Sequence, residues 1–270
     1  MTLGLGACTY TYVFDHSWEA TLERLAALGF KWLEVMTAPP HIWPRDLDSK
    51  AREALRRQIE SYGMQVFSSQ PAWLELNLVA FNPGIREEVV KQMKENIELL
   101  HDLGGKVLDI FPGRREGLVA PSMETAWALA KEIISACVED AERYGVTLAI
   151  ETVPRGFIET GAQAAQMAEE IGSPAIGVCV DIANVNAVQS PIAALEEAKE
   201  MLALVHLSDN YGEHIHAPIG EGNIDFAAVA SKLQEIEYDG VSLLEVMTRD
   251  KVDEAFGQSK LRLEELGWQS

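Results

Sequence analysis

Short apolar runs alternate with amphipathic segments along the whole chain. Eight runs are rich in β-branched residues and short enough to be buried strands. These predicted strands are 3–8, 32–36, 64–69, 106–111, 146–151, 176–181, 203–208 and 241–246. The segment 17–29 begins with Ser17 as an N-cap, repeats apolar residues with helical spacing and ends at Gly29, so it predicts a helix. Further helices of this kind are predicted at 49–63, 86–105, 122–145, 161–172, 191–201 and 225–240.

Strands that alternate with helices are expected to be parallel and joined by right-handed crossovers. Eight such units of roughly 30 residues fit closure into a barrel, whereas an open doubly wound sheet normally has fewer strands. The chain has no Pro/Ser-rich linker, so residues 1–270 are predicted to form a single (β/α)8 TIM-barrel domain of the α/β class. In this fold, catalytic groups come from the C-terminal ends of the strands and the loops that follow them.

Composition narrows the classes of partner. The 270 residues are 47% hydrophobic, which supplies a large core, and a net charge of −20 would repel a phosphate backbone. Nucleic acid is therefore not an expected partner. The first residues lack a cationic start followed by an apolar run, and the other apolar runs are too short to span a bilayer, so we expect a cytoplasmic protein with no membrane partner. Three cysteines without CxxC spacing indicate neither a zinc knuckle nor a disulfide framework.

Four successive predicted strands finish on, or close to, a side chain that can bind a metal. These residues are Glu151, Asp181, His206 and Glu245. A lone ionised carboxylate in an apolar strand costs several kcal/mol, and a shared cation would offset that cost. Each residue alone has a plain alternative, such as a salt bridge or a satisfied core histidine. Together they predict one divalent metal ion, and three carboxylates with one imidazole favour Mn²⁺, with Mg²⁺, Co²⁺ or Zn²⁺ as alternatives.

Two metal-linked carboxylates can also move a proton at the carbon beside a polarised carbonyl, which is isomerase or epimerase chemistry. Several tracts carry a family resemblance. The tracts 150-IETV-153, 180-VDIAN-184, 205-VHLSD-209, 218-PIGEGNIDF-226 and 244-LEV-246 resemble the xylose isomerase-like superfamily of sugar phosphate isomerases and epimerases. The resemblance implies a single metal site on the four residues above, with Glu151 and Glu245 as the catalytic pair. It also implies a cis-enediolate intermediate, a small carbohydrate or hydroxyketone substrate, and a homo-oligomer.

Other functions on the same scaffold remain open. A metal-dependent lyase, of the inosose or dehydroshikimate dehydratase type, would use the same enediolate. An abasic-site endonuclease of the endonuclease IV type is disfavoured, because the third strand ends without histidine, Phe111 replaces a histidine of that pattern, and Asn184 replaces another. Asn184 can donate to a substrate hydroxyl but cannot carry a proton. A barrel that keeps its metal only to sense a ligand or brace the fold is the non-catalytic alternative.

Residues in the loops after the strands are candidate substrate contacts. They are Asn184, His216, Arg155, Glu159, Glu34, His41 and Arg114. His216 belongs to an HxH pair with His214, for which a second metal or a solvent-facing loop are alternatives, and Arg155 with Glu159 could equally form a surface salt bridge.

The pair of Arg114 and Arg115 is the best local cationic spot for an acidic or phosphorylated substrate. Trp43, Trp73 and Phe111 are predicted to supply apolar walls. Gly220 and Gly222 are predicted to be turn residues with positive φ.

Overall fold

The computed structural model describes residues 2–72, 75–116 and 119–270. Its strands coincide with the predicted apolar runs to within one or two residues at most ends. They are β1 (Leu3–Cys8), β2 (Trp32–Thr37), β3 (Gln65–Pro71), β4 (Val107–Ile110), β5 (Thr147–Glu151), β6 (Ile176–Asp181), β7 (Leu202–Leu207), β8 (Val241–Leu244) and β9 (Trp268–Gln269).

The strands β1 to β8 form a closed parallel barrel. Each pairs with its successor, and β1 pairs with both β2 and β8, which closes the ring. The predicted (β/α)8 TIM barrel is confirmed. The short strand β9 was not predicted; it pairs with the start of β1, where Leu3 lies opposite the fully buried Trp268.

Helices surround the barrel. They are α1 (Trp18–Ala27), α2 (Ser49–Ser61), α3 (Pro83–Leu103), α4 (Met123–Ser135), α5 (Val138–Tyr144), α6 (Gly161–Ile171), α7 (Ile182–Asn186), α8 (Pro191–Ala198), α9 (Phe226–Glu235) and α10 (Val252–Glu265). The Ser17 side chain caps α1 as predicted, accepting from Ala20 N at 3.2 Å. Among the described residues, no helix has the length and apolar character needed to cross a bilayer.

The single helix predicted over 122–145 is wrong. Helix α4 ends at Ser135, and Cys137 has φ −109° and ψ −5°, so α5 begins a new direction. The turn uses bonds from Ala136 N to Glu132 O and from Cys137 N to Ile134 O, which keep the backbone satisfied without proline or glycine. Because the apolar spacing continues across the break, the pattern alone did not mark it.

The barrel interior is layered because side chains alternate across a strand. Its lower layer is apolar. This floor consists of Val107, Ala149, Cys179, Leu204, Val241 and Leu243, with Trp32, Phe67 and Ala203 packed against it. Gly6 leaves room for it, since a Cβ there would lie 2.7 Å from Trp32 O and 2.8 Å from Leu243 Cδ1.

The next inward position of four neighbouring strands lies two residues beyond this floor. On β5 to β7 and just past the end of β8, the floor residues Ala149, Cys179, Leu204 and Leu243 are followed by Glu151, Asp181, His206 and Glu245. Because side chains alternate along a strand, the four predicted ligands all lie in the layer directly above the apolar floor.

Candidate metal centre and substrate cavity

The four predicted ligands meet inside the barrel. Their ligand atoms lie within 4.8 Å of one another, and all four residues are buried. His206 Nδ1 is 3.7 Å from Glu151 Oε1, 3.9 Å from Asp181 Oδ2 and 3.3 Å from Glu245 Oε2. The imidazole nitrogen therefore faces three carboxylates at once.

The donor atoms that face one another lack protein partners. Within the described part of the chain, Asp181 Oδ2, His206 Nδ1 and Glu245 Oε2 are buried and accept or donate no hydrogen bond. Unpaired buried polar atoms are costly, and a cation would satisfy all three together. Three carboxylates and one imidazole suit a hard or borderline divalent ion, so the residues present fit the predicted group.

Glu34 and Ser68 orient the His206 ring. Glu34 Oε2 accepts from Ser68 Oγ at 2.7 Å and lies 3.3 Å from His206 Nε2. A ring that donates Nε2–H to a carboxylate presents the Nδ1 lone pair to a metal, which is the usual arrangement behind metal-bound histidine. Glu34, predicted as a substrate contact, is fully buried beside the ring and is not among the residues that line the cavity.

Two amide side chains fix the carboxylates. Gln70 Nε2 donates to Glu245 Oε1 at 3.0 Å, which leaves Oε2 directed at His206. Asp181 caps the short helix α7 by accepting from Asn184 N at 2.8 Å through Oδ1, so its Oδ2 also stays directed at the site. The Asn184 side chain lies 3.5 Å from Glu151 Oε1.

The two proposed catalytic carboxyls sit in unlike environments. Burial raises the pKa of Glu151 to about 7, against the opposing hydrogen bond and charge of His206. Burial also disfavours the charge of Glu245, but the neighbouring His206 and His216 outweigh it and lower the pKa of Glu245. Burial and the Glu245 carboxylate raise the pKa of Asp181. Without a metal, the site therefore retains protons on some carboxyls.

The tract 218–226 folds the loop after β7 back over the site. Asp209 Oδ2 accepts from Gly220 N at 2.8 Å and its Oδ1 accepts from Ile224 N at 3.2 Å. Gly220 has φ +86°, as predicted. Gly222 does not have positive φ, so that prediction is wrong; it is needed because a Cβ there would lie 2.1 Å from Asp209 Oδ1.

This loop places His216 beside the four predicted ligands. Its Nδ1 lies 3.0 Å from Ser208 Oγ, 3.6 Å from Asp181 Oδ2 and 3.5 Å from Glu245 Oε2. The His216 carbonyl accepts from Met247 N at 2.8 Å, which ties the loop to the segment after β8. His216 is thus placed to contact a ligand held beside Glu245.

A cavity of about 320 Å³ opens above the ligand level, within the size range of small-molecule sites. One wall is mainly apolar and comes from the ends of the first three strands and the loops that follow them. It includes Tyr10, Phe14, Met36, Ala38, Pro39, Pro71 and Ala72. The opposite wall carries most of the polar groups. It includes Asp109, Arg114, Glu151, Asn184, His214 and His216, with Phe111 and Val153 between them.

The model of the xylose isomerase-like TIM barrel family matches residues 22–268. The chain belongs to this family. An L-ribulose 3-epimerase of Mesorhizobium japonicum is 28% identical, over 87% of this chain and 77% of its own length. An L-ribulose-5-phosphate 3-epimerase of Escherichia coli O157:H7 is 24% identical, over 91% of this chain and 87% of its own. The crystal structure of a D-tagatose 3-epimerase-like protein superposes with a TM-score of 0.85 at 26% identity, covering 98% and 97% of the two chains.

These comparisons confirm the resemblance inferred from the sequence and identify sugar epimerases among the relatives of this family member. Three of the predicted substrate contacts, Asn184, His216 and Arg114, line the cavity. Arg155 and Glu159 do not; Arg155 is exposed, and its backbone N–H donates to Glu159 Oε1 at 2.5 Å.

Other predicted contacts lie elsewhere. His41 Nε2 is 2.7 Å from His16 O, in a separate surface groove beside Trp18, so the prediction of a substrate contact is not supported by its position. Trp43 lies against Arg45 and does not line the cavity, whereas Phe111 does. Trp73 lies outside the described residues.

The sequence reasoning missed Gln70 and Asp109, both of which line the cavity, as does His214 of the HxH pair. The signal for Gln70 was its place near the end of a strand, as for each of the four predicted ligands. At the end of the third strand, the prediction considered only histidine. The signal for Asp109 was its own position, as a carboxylate inside the apolar strand β4. Burial there raises the pKa of Asp109.

Proposed function

We propose that this protein is a divalent-metal-dependent isomerase or epimerase of a small ketose or hydroxyketone. The observation that carries the proposal is the convergence of four buried ligands at the base of a cavity of about 320 Å³, with two glutamates among them. The sugar epimerases among the relatives support the same class of substrate.

Glu151, Asp181, His206 and Glu245 would hold the ion, with Mn²⁺ proposed and Mg²⁺, Co²⁺ and Zn²⁺ as alternatives. When bound, such an ion supplies Lewis-acid polarisation of the substrate carbonyl, which acidifies the neighbouring C–H bond. Asp181 and His206 are proposed to serve as ligands only. Glu34, Ser68 and the Asp181 cap on α7 keep those ligand atoms aimed at the ion.

Glu245 and Glu151 are proposed to exchange the proton. One of the two carboxylates removes the proton from the carbon beside the carbonyl. The C–H electron pair enters a cis-enediolate of the substrate. The other carboxyl, protonated at the start of the step, returns a proton to the opposite face, and the roles exchange in the reverse direction. Net reaction inverts one carbon and consumes no co-reactant.

The cavity walls position the sugar. Asn184 and His216 lie within reach of the same carboxylates and can hydrogen-bond substrate hydroxyls. The apolar wall of Met36 and Pro71 faces them and displaces water from the enediolate, which protects it from unspecific protonation.

The test replaces Glu151 or Glu245 by Gln in the Mn²⁺-loaded enzyme and follows exchange of substrate hydrogen into D₂O over a panel of ketoses and hydroxypyruvate. We expect each variant to lose at least about 100-fold in exchange. Because both residues are proposed ligands, bound Mn²⁺ is measured in parallel by EPR, and the loss is compared at equal metal occupancy. Glu159→Gln, in the loop that follows β5 and outside the cavity, is the control and should keep full activity.

If both glutamine variants exchanged substrate hydrogen into D₂O as fast as the wild type, the proposal would be refuted. Loss of water, seen as new ultraviolet absorbance with an inosose or dehydroshikimate, would replace the isomerase by the lyase. Ligand binding without any hydrogen exchange would instead favour a non-catalytic barrel.

A further inference from the structure

One cationic side chain lies at an edge of the cavity although the chain carries a net charge of −20. In the described part of the chain, Arg114 is the only arginine or lysine that lines the cavity, whose acidic residues are Glu75, Asp109, Glu151 and Glu245. His214 lines the cavity together with Arg114.

Arg114 is held in place by its backbone and by an aromatic ring. Asn77 Oδ1 accepts from Arg114 N at 3.0 Å, and Asn77 Nδ2 donates to Arg114 O at 2.8 Å. The guanidinium carbon lies 5.3 Å from the centroid of the Phe111 ring. A residue clamped in this way loses little further freedom when it binds a ligand.

The charge of Arg114 is only weakly compensated. Its Nε is 3.7 Å from Glu116 Oε1, which is beyond hydrogen-bond distance, and the Glu116 side chain is 66% exposed. An exposed pair of this kind contributes little, so the guanidinium keeps its capacity to bind an anion in the cavity.

The His214 ring can support Arg114 as a hydrogen-bond donor. It lies edge-on to His216 at 5.9 Å, and burial, followed by the charges of His216 and Arg114, lowers the pKa of His214, so the neutral ring keeps one N–H donor. The carboxylates of the proposed metal site would repel an anionic group of a substrate, whereas Arg114 would attract it. A substrate that is anionic at one end would therefore bind with that end at Arg114.

We propose that Arg114, assisted by His214, forms a subsite for an anionic terminus of the substrate, a phosphate monoester or a carboxylate. Phe111 is buried whereas the Arg114 side chain is 31% exposed, which places the anion on the solvent side of the reacting carbon. The guanidinium binds such groups in bidentate fashion. This inference rests on the proposed isomerase or epimerase function.

The test compares a ketopentose, its 5-phosphate and the matching keto acid on the Mn²⁺-loaded enzyme. We expect the anionic substrates to have the higher kcat/KM, and Arg114→Ala to reduce kcat/KM for them about 10- to 100-fold more than for the neutral ketose. The substrate that loses most identifies phosphate or carboxylate. Arg115→Ala is the matched control, because Arg115 Nε donates to Pro121 O at 2.8 Å and does not line the cavity.

Equal losses on neutral and anionic substrates in Arg114→Ala, or a wild-type preference for the neutral ketose, would overturn the subsite while leaving the proposed function intact. A second readout does not depend on turnover. Inorganic phosphate is titrated into the Mg²⁺-loaded protein and the His214 ring resonance, assigned with His214→Gln, is followed by NMR. We expect a saturable shift in wild type and Arg115→Ala that Arg114→Ala loses; a shift that persists in Arg114→Ala would overturn the subsite whatever the activity.

Discussion

Glu151→Gln is expected to stabilise the metal-free protein at pH 8 and to leave its stability nearly unchanged near pH 5. In the metal-free protein, burial raises the pKa of Glu151 to about 7, from an ordinary value of 4.5. The folded state therefore holds a proton that the unfolded chain releases in that interval, so this carboxyl contributes stability below about pH 4.5 that is lost as the pH rises to about 7. Glutamine, which does not ionise, avoids the loss.

The difference between the pKa of Glu151 in the unfolded chain, 4.5, and in the folded protein, about 7, sets the size of the effect. At about 1.36 kcal/mol per pH unit, the free energy of unfolding should rise by on the order of 3 kcal/mol in Glu151→Gln at pH 8. For a domain of this size, that corresponds to roughly 6 to 12 °C in Tm. Metal reverses the sign, because a bound cation stabilises the Glu151 carboxylate but gains less from an amide oxygen.

The assay is urea unfolding of EDTA-treated wild type and Glu151→Gln at pH 5 and pH 8, repeated with saturating Mn²⁺. Glu75→Gln is the control, because Glu75 also lines the cavity but is exposed to solvent. The reasoning is refuted if Glu151→Gln is less stable than wild type at pH 8 without metal, or if the difference between the two proteins is the same at both pH values.

Two further predictions follow from the geometry. Glu34→Gln is expected to weaken Mn²⁺ binding about 10- to 100-fold, because an amide no longer fixes the His206 tautomer; a calorimetric titration with unchanged affinity would contradict it. Gly222→Ala is expected to cost at least about 2 kcal/mol in urea unfolding, because the new methyl group would meet Asp209 at 2.1 Å. Gly84→Ala, whose new methyl group meets nothing nearer than 3.4 Å, is the control and should be near neutral.

The barrel and the ligand level were predictable because both depend on local periodicity. Strand alternation places Glu151 above Ala149 and Asp181 above Cys179 without reference to any distant residue. Parallel strands then bring their C-terminal ends to the same rim. These two rules suffice to gather the ligands.

The surroundings of the ligands were less predictable because they depend on register and loop path. The pairing of β2 with β3 shifts between Leu33 and Glu34, which sets Ser68 opposite Glu34 and brings Glu34 against His206. No sequence pattern marks such a bulge. Similarly, the loop after β2 carries His41 to the outer groove, a course that packing against Trp18 decides.

The apolar floor explains why the carboxylates above it are costly to bury without a cation. Cys179 and Leu243 lie directly below the carboxylates and exclude the water that would otherwise solvate them. Gly6 admits this floor, since any side chain there would displace Trp32 and Leu243. A polar or hydrated floor would lower the cost of burying the charge on Glu151, and its pKa would then remain nearer the ordinary value. The cost of burying these carboxylates, which a cation would offset, is therefore set in part by the layer below them.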